Sequence, residues 1–454
     1  MAVCICVGFD LMLKIDSSLT PASLLPAVER VFALSAQKIL ALEKSWRPKD
    51  GAPVFTVRGK YVSRGWTEWT QGFQFGSAIL QFDATCAAEF LKIGRAASVN
   101  RIASHISHVG VHDHGFNNVS VYGNLRRLLR EGRIPANDWE LAFYEMALKA
   151  SGAVQAARWT TLADGTGFIN SFNGPHSLFI DTIRSCRSLA LAHQLGHVLM
   201  GEQDRRIDLF QRLREHTENT IRHNVYFGRG RDVYDVRGRV AHEAIFNTAS
   251  GVFRCPNSQQ GYSPFSVWTR GLAWAICGFA ELLEFARDAG NTKFASTLAD
   301  AAKATADFYI GNCCADGIPM WDTGAPNLKR LPDDYLERPA NPFNDFEPVD
   351  SSAAAIAAQG LLRLGNRLKS APYRHAALTI ARTLFAEPYL STRAAHQGLI
   401  LHSVYHRPNG WDHIPPGRKV PCGESSMWGD YHARELALMI LREAKGLPYY
   451  KFYE

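Results

Sequence analysis

The sequence predicts an all-α protein in which about six helical hairpins close into an (α/α)6 barrel, with long loops and minor β-hairpins at one end. Two observations carry this prediction. Eleven stretches repeat apolar residues every three or four positions, which is the spacing of an amphipathic helix. Short and long connections alternate between these stretches, as they do where hairpins place their long loops on one side.

The helical stretches are recognised by their periodicity. In residues 24–46, apolar side chains at Leu25, Val28, Phe32 and Ala36 form one stripe. The other ten predicted helices lie near 76–94, 120–131, 138–152, 182–201, 204–223, 269–288, 292–311, 351–369, 372–386 and 426–445. An α-solenoid is disfavoured because no motif recurs at a fixed period, and because a six-hairpin division gives roughly 70 residues per hairpin, more than common helical repeats have.

The long connections predict where the function lies. They are rich in Gly, Pro, Asn and aromatic residues, and they cover 43–75, 157–180, 224–267, 312–350 and 387–425. Loops of this length are uncommon unless they have a function, so one end of the barrel is predicted to carry the site. Parts of these loops, 52–64 and 251–256, are predicted to pair as short strands. Residues 1–454 are predicted to form a single domain.

Composition excludes several classes of protein. Hydrophobic residues make up 46 % and charged residues 20 %, as in ordinary globular proteins. The net charge is +7, but the Lys and Arg residues are scattered along the chain, so no nucleic-acid partner is predicted. An acidic small substrate is compatible with this charge. The nine cysteines show no CxxC pair or zinc spacing, which predicts reduced thiols and no metal site. Because the sequence shows no signal peptide and no 18-residue apolar run, we predict a cytoplasmic protein with no membrane contact. A homo-oligomeric state is compatible with the sequence.

Three aspartates stand at predicted helix starts. Asp113 lies between His112 and His114, and Asp181 follows an apolar run. Taken alone, both positions favour helix capping over acid–base chemistry, and capping is likewise preferred for Asp350. The HxH pattern around Asp113 is a weak indication of metal binding, because no third ligand follows at helical spacing.

Aromatic and planar polar residues cluster in the same loops. Trp66, Trp69 and Phe73 stand among Gly and Thr, which is typical of a platform for a sugar ring as well as of a buried core. A second cluster contains His242, Gln260, Tyr262, Trp268, Arg270 and Trp274. A third contains Glu424, Ser425, Ser426, Trp428 and Asp430. Such mixtures bind polyhydroxylated ligands that carry a carboxylate. Nucleotide-binding, nucleophile-elbow, zinc-protease and kinase motifs are absent from the sequence.

Six motifs occur in an order that resembles a known family. They are WTQGF (69–73), HDHGF (112–116), IDT (180–182), QGYSPFSVWTRGLAWAICGFA (260–280), DSSAAAIAAQGLL (350–362) and ESSMWGDY (424–431). Together they resemble the unsaturated glucuronyl hydrolases and the related unsaturated rhamnogalacturonyl hydrolases. The resemblance covers residues 66–441 and includes a β-glucuronidase branch that has the same six-hairpin barrel.

The resemblance implies an (α/α)6 barrel that removes a terminal uronic acid from an acidic oligosaccharide without a metal or an organic cofactor. It implies that Asp181 is the general acid/base and Asp113 the second essential acid. The implied substrate-binding residues are Trp69, His242, Gln260, Trp268, Arg270, Trp274, Ser425 and Ser426. Arg184 stands where the family has apolar residues, and we add it as a candidate substrate ligand.

In such a family the substrate is a 4,5-unsaturated uronyl group, and water is added to its double bond. This chemistry leads us to expect an acid with a raised pKa beside a second carboxylate. The alternative is hydrolysis of a saturated β-glucuronide. It is suggested by Leu272, which replaces the family's usual Gln, and by extra arginines after Asp181. If that hydrolysis inverts the anomeric configuration, the two acids are expected roughly 6.5–9.5 Å apart. More distant alternatives are a sugar epimerase or isomerase with a histidine pair, and an inactive carbohydrate-binding protein.

Overall fold

The computed structural model describes residues 12–64 and 68–454. Helices dominate this part of the chain. Their bounds are α1 Leu25–Ser45, α2 Gln71–Thr85, α3 Ala88–Asn100, α4 Ala103–Ile106, α5 Asn124–Arg130, α6 Asp138–Ala157, α7 Thr182–Ser185, α8 Arg187–Gln194, α9 Leu209–Asn224, α10 Thr269–Asp288, α11 Thr292–Asn312, α12 Ser351–Leu368, α13 Ala371–Leu384 and α14 Met427–Ala444. A π-helical turn, Gly115–Gly123, runs directly into α5.

Short antiparallel strands occupy the loops. Their bounds are β1 Phe55–Val57, β2 Lys60–Val62, β3 Trp159–Thr161, β4 Gly167–Ile169, β5 Ser177–Phe179, β6 Val198–Met200, β7 Arg206–Asp208, β8 Glu243–Phe246 and β9 Phe253–Asn257. Strands β1 and β2, β3 and β4, and β6 and β7 form hairpins, and β5, β8 and β9 form one small sheet. The predicted strands at 52–64 and 251–256 are therefore confirmed by β1, β2 and β9.

The helices form two concentric rings, so the predicted (α/α)6 barrel is confirmed. In the part of the chain that the structure describes, the inner ring closes in the order α2, the Gly115–Arg130 segment, α7 with α8, α10, α12 and α14, and α14 contacts α2. Helices α1, α3, α6, α9, α11 and α13 form the outer ring and alternate with the inner helices along the chain.

Burial separates the two rings. Every residue of α10 from Thr269 to Ala286 is buried, and α12 and α14 are almost as completely covered. A helix that is buried on all sides must lie inside a larger structure, whereas the outer α9 buries one face and exposes charged residues on the other. One connected hydrophobic core extends from Leu13 to Tyr453.

All six inner segments begin at the same end of the barrel. Each one follows a long connection, and each except α14, the last helix, leads through a shorter connection to the next outer helix. The residues immediately before the inner segments are Thr70, His114, Asp181, Trp268, Asp350 and Ser426. The motifs found in the sequence therefore meet at one end of the barrel, where the positive ends of the helix dipoles also converge.

Helix bounds are confirmed best where one helix is long and uninterrupted. The predicted helix 269–288 coincides with α10, 292–311 and 351–369 differ from α11 and α12 by one residue at one end, and 426–445 differs from α14 by one residue at each end. The prediction 76–94 is wrong, because Cys86 has left-handed backbone (φ 59°) and separates α2 from α3. The predictions 182–201 and 204–223 also ran too far, into β6 and β7.

Some sequence expectations fall outside the described residues. These are Trp66, Cys4, Cys6 and the start of the chain. The seven cysteines within the described ranges are all free. No helix in residues 12–64 and 68–454 combines the length and apolarity that a membrane crossing requires.

Candidate active site

A cavity of about 560 Å³ opens at the end of the barrel where the inner helices begin. Aromatic rings and a few polar groups line it, as in sites that bind sugars and other small molecules. The lining residues are Trp69, Gly110, Val111, His112, Asp113, Phe116, Phe172, Asn173, Asp181, Gln259, Gln260, Trp268, Arg270, Trp274, Tyr405, His406, Asn409 and Trp411. Seven of the residues predicted to form the site are therefore together in this cavity.

Two of them, Asp113 and Asp181, converge on one histidine. The Nε2 atom of His112 lies 3.5 Å from Oδ1 of Asp113 and 3.6 Å from Oδ1 of Asp181. All three side chains are buried, with exposed fractions of 1 % for His112, 6 % for Asp113 and 7 % for Asp181. Oδ1 of Asp181 accepts no hydrogen bond from the described residues, so a bound ligand can use it.

Capping does not explain Asp181. It is the residue before α7, but within the described part of the chain its carboxylate accepts no hydrogen bond from the first turn of that helix. Asp350 behaves in the opposite way, because its carboxylate accepts hydrogen bonds from the amides of Ser352 and Ala353. The capping interpretation is thus confirmed for Asp350.

The charges of this trio shift its pKa values in opposite directions. Burial lowers the pKa of His112, but Asp113 and then Asp181 outweigh burial, and the net pKa is raised. Burial raises the pKa of Asp181, but the neighbouring His112 ring, followed by the charges of His242 and Arg270, leaves it lowered. The expectation of a raised pKa is therefore wrong for Asp181 in the ligand-free protein. The structure favours a proton on His112, between the two carboxylates.

This arrangement predicts a pH-dependent contribution to stability. The folded-state pKa of His112 is raised, so the stabilisation by its charge is present below the unfolded pKa of about 6.5 and is lost as the pH rises through the folded pKa. In His112→Gln this contribution disappears. We expect the difference in melting temperature between the natural protein and His112→Gln to shrink from pH 5.5 towards higher pH. A constant difference across a thermal-melt series would contradict the expectation.

Aromatic rings build two walls of the cavity. Trp69 stacks on Trp428 with ring centroids 5.1 Å apart, and Trp274 packs against Phe116 at 4.8 Å. Trp69 is only partly buried, whereas Trp268 and Trp274 are 3 % and 2 % exposed. These flat faces suit the C–H surface of a pyranose ring.

Arg270 holds the wall of the cavity together. Its guanidinium lies between the rings of Trp268 and Trp428, 4.7 and 4.8 Å from their centroids. One terminal nitrogen donates to Asp350 and to the carbonyl of Val404, and the other donates to Oε1 of Gln260 and to the carbonyl of Tyr405. A guanidinium has four terminal N–H groups, and here each has an acceptor. Arg270 therefore braces the loops, and its terminal N–H groups are already committed when a substrate carboxylate arrives.

Gln260 and His242 provide neutral donors near the acids. Because Oε1 of Gln260 accepts from Arg270, its amide N–H groups are left to face the cavity. Nδ1 of His242 accepts the amides of Gln259 and Gln260, which assigns the proton of the neutral ring to Nε2. Burial lowers the pKa of His242 and keeps it neutral. Its ring packs 4.7 Å from that of Trp268, but His242, which was predicted to bind substrate, is not among the residues that line the cavity.

The structure does not bring Arg184, Ser425 or Ser426 to the cavity wall. The Arg184 guanidinium is fully buried in the barrel interior, where it pairs with Glu281 and Glu435. A buried arginine requires such partners, and neither glutamate is among the residues that line the cavity. The Ser425 hydroxyl donates to the carbonyl of Ile400. Ser426 caps α14 by accepting the amide of Gly429, and its hydroxyl donates to Ser403. All three residues have structural roles here.

Several lining residues were missed from the sequence. His112 was considered only as part of a metal or histidine-pair motif. Tyr405, His406, Asn409 and Trp411 come from one loop whose YHRPNGW composition signals a turn with aromatics, and Phe172 with Asn173 comes from a similar loop. These Gly- and Pro-containing aromatic loops were the signal that could have identified them.

Arg158 fixes two segments of the rim. Its guanidinium donates to the carbonyls of Val109, Asn170 and Ser171. It therefore anchors the loop before His112 to the loop that carries Phe172.

Within the described residues, no group of three or more histidines, cysteines and carboxylates is arranged to hold a metal ion.

Comparison with known proteins supports the resemblance. No family model matches the chain. It is 28 % identical over 223 residues to the unsaturated glucuronyl hydrolase of Formosa agariphila, covering 49 % of this chain and 46 % of that protein. It is 23 % identical over 397 residues to the unsaturated chondroitin disaccharide hydrolase of Streptococcus agalactiae, covering 83 % and 82 %. The chain thus spans about half the length of the first relative and most of the second.

The fold agrees as well. A crystal structure of an unsaturated glucuronyl hydrolase specific for heparin superposes with a TM-score of 0.70 at 20 % identity, covering 93 % of this chain and 98 % of the other. At that level of identity the superposition establishes the shared barrel. The chain is thus similar in sequence to unsaturated glucuronyl hydrolases and shares the barrel of their solved structure.

Proposed function

We propose that this chain is a glycoside hydrolase that releases a terminal 4,5-unsaturated glucuronyl residue from acidic oligosaccharides by hydrating the ring double bond. One observation carries the proposal: two buried carboxylates meet at His112 on the wall of an aromatic cavity, with neutral donors close by. The named activities of its relatives support the same class of substrate.

The proposed substrate position follows from the lining. The sugar ring lies against Trp69 or Trp274, and its carboxylate accepts from the amide of Gln260. The inner helix N-termini add a favourable potential for this anion. A substrate carboxylate that enters the cavity adds negative charge and displaces water, and both effects raise the pKa of Asp181. Binding thereby moves the proton from His112 towards the acid.

The proposed reaction uses one proton and one water. Asp181 donates its proton to C4, and the positive charge that develops is shared by C5 and the ring oxygen. Water adds to C5 and returns a proton to the Asp181 carboxylate, which leaves a hemiketal. The hemiketal opens, and the aglycone departs with a proton as an alcohol. Asp113 keeps its negative charge beside His112 and stabilises the developing cation.

The separation of the two acids bears on the saturated alternative. Both Oδ1 atoms lie within 3.6 Å of one nitrogen, so these two oxygens are at most about 7 Å apart, a limit that still overlaps the roughly 6.5–9.5 Å range of inverting glycosidases. Hydration requires no gap in which a water lies opposite a leaving group. The unsaturated substrate is preferred because the relatives of this chain are an unsaturated glucuronyl hydrolase and an unsaturated chondroitin disaccharide hydrolase.

The test uses two substrates in parallel. Incubation with an unsaturated glucuronyl disaccharide is expected to remove the ultraviolet absorbance of the conjugated double bond and to release the second sugar. A nitrophenyl β-glucuronide is expected to remain intact. Release of nitrophenol without loss of the unsaturated absorbance would replace this proposal with ordinary glucuronidase activity, and inactivity on both substrates would reject both activities.

A further inference from the structure

The Ser185 hydroxyl joins the two segments that carry the acids. Ser185 is four residues after Asp181, at the end of α7, and it is fully buried. Its Oγ donates to the carbonyl of His112 at 2.9 Å and accepts the amide of Gly115 at 2.9 Å. These two groups flank Asp113 along the chain. A single hydroxyl therefore fixes the backbone on both sides of Asp113 to the helix that follows Asp181.

Gln155 completes this junction from the outer ring. Its Nε2 donates to the carbonyl of His112 at 2.7 Å and to Oγ of Ser185 at 3.1 Å, and its Oε1 accepts from the Ser188 hydroxyl. The Ser185 hydroxyl thus makes one donated and two accepted hydrogen bonds, which is its full capacity. A saturated buried network of this kind holds its members in one arrangement.

The backbones at this junction are in direct contact. A Cβ at Gly115 would lie 2.1 Å from the carbonyl oxygen of Ser185, so only glycine permits this approach. Arg187, two residues further on, donates to the Gly115 carbonyl at 2.9 Å. The segment 112–115 therefore rests on residues 185–187 and has little freedom to move independently of them.

We propose that Ser185 is a positioning residue for the reaction, and that with Gln155 it sets the separation between the carboxylates of Asp113 and Asp181 around His112. Neither Ser185 nor Gln155 lines the cavity, so both act through the acids. The inference rests on the proposed function for its effect on turnover. Its geometric part, the placement of His112 between the two acids, is independent of that function.

The main test compares Ser185→Ala with Ser98→Ala. Ser98 is also buried, but its hydroxyl donates to the backbone carbonyl of Arg95 within the outer helix α3, and Ser98 does not line the cavity. We expect Ser185→Ala to lower kcat on the unsaturated disaccharide roughly 10- to 100-fold while KM changes less than about threefold, since small displacements of catalytic groups reduce rates strongly. Ser98→Ala is expected to keep the natural kcat.

A measurement that does not depend on turnover separates the two proposals. The titration of the His112 ring, followed by NMR, is expected to shift in Ser185→Ala and to stay unchanged in Ser98→Ala. If the natural protein does not act on the disaccharide, the proposed function fails, and this titration still decides the positioning role. An unshifted titration, or a kcat above half the natural value in Ser185→Ala, overturns the inference.

Gln155→Glu provides a second variant of nearly the same size. It replaces the donor to the His112 carbonyl with an acceptor and leaves Ser185 in place. We expect a fall in kcat and a shift of the His112 titration in the same direction as in Ser185→Ala. If Ser185→Ala does not fold, Gln155→Glu decides: natural kcat and natural titration together reject the positioning role.

Discussion

Replacing Asp181 with asparagine is expected to reduce kcat on the unsaturated disaccharide by about 10²–10⁴-fold, the range attributed to a positioned acid or base. Asn has nearly the same size, so it occupies the same place before α7 but has no proton to give to C4. Because Oδ1 of Asp181 accepts no hydrogen bond from the described residues, the exchange removes chiefly the negative charge beside His112. The measurement is initial rate by absorbance, with melting temperature recorded on the same samples.

The control for Asp181→Asn is Asp307→Asn. Asp307 lies on the outer helix α11 and accepts the Tyr373 hydroxyl, so its replacement removes an aspartate far from the cavity along the fold. It is expected to leave kcat unchanged, whereas Asp113→Asn is expected to lose activity as Asp181→Asn does. Asp181→Asn with more than a tenth of the natural kcat would remove Asp181 from the acid role.

The fold was predictable because a closed barrel imposes its pattern locally. Helices α10, α11, α12 and α14 begin at polar or loop residues and continue without interruption, so periodicity located them within one residue at an end. Residues 182–201 do not form one uninterrupted helix of this kind. Their apolar pattern continues through α7 and α8 into β6, but α8 ends at a glycine C-cap: Gly196 has left-handed backbone (φ 73°), and the amides of Gly196 and His197 donate to the carbonyls of His193 and Ala192.

The site was predictable to the extent that it stands at helix starts. Trp69, Asp113, Asp181 and Trp268 lie within two residues of the point where an inner segment begins, so motifs in the sequence became neighbours in the barrel. Arg184 shows what the sequence could not provide. An arginine three residues after a candidate acid fits a ligand-binding role equally well, until Glu281 and Glu435 are found on other inner helices.

The same lack of three-dimensional information explains Arg270. Its sequence context, between two tryptophans, indicates a carboxylate ligand, and the loop carbonyls that occupy its N–H groups lie 134 and 135 residues further along the chain. Every residue has a backbone carbonyl, so the sequence does not show which carbonyls accept hydrogen bonds from Arg270. The structure therefore changes the expected effect of losing Arg270 from weaker substrate binding alone to a loss of stability as well.

Arg270→Met is expected to destabilise the protein by about 3–5 kcal/mol, the usual loss when one member of a buried ion pair is removed. It leaves the Asp350 carboxylate, the carbonyls of Val404 and Tyr405, and Oε1 of Gln260 without their donor. The free energy of unfolding from urea titration measures the loss. In the surviving folded fraction, KM for the disaccharide is expected to rise, because Gln260 and Tyr405 lose the group that positions them.

Asp350→Asn separates the contribution of the Arg270–Asp350 ion pair from that of the other hydrogen bonds of Arg270. Asn keeps an oxygen for the amides of Ser352 and Ala353, so α12 retains its cap while the charge opposite Arg270 is removed. If the pair matters, the double variant loses less than the sum of the single variants, by about 0.5–3 kcal/mol. Strict additivity would place the whole effect of Arg270 in its bonds to the loop carbonyls.

Arg270→Lys tests the charge of Arg270 separately from its hydrogen bonds. An ammonium keeps the charge but offers three donors to four acceptors. We therefore expect Arg270→Lys to restore the pairing energy with Asp350 without restoring the natural KM.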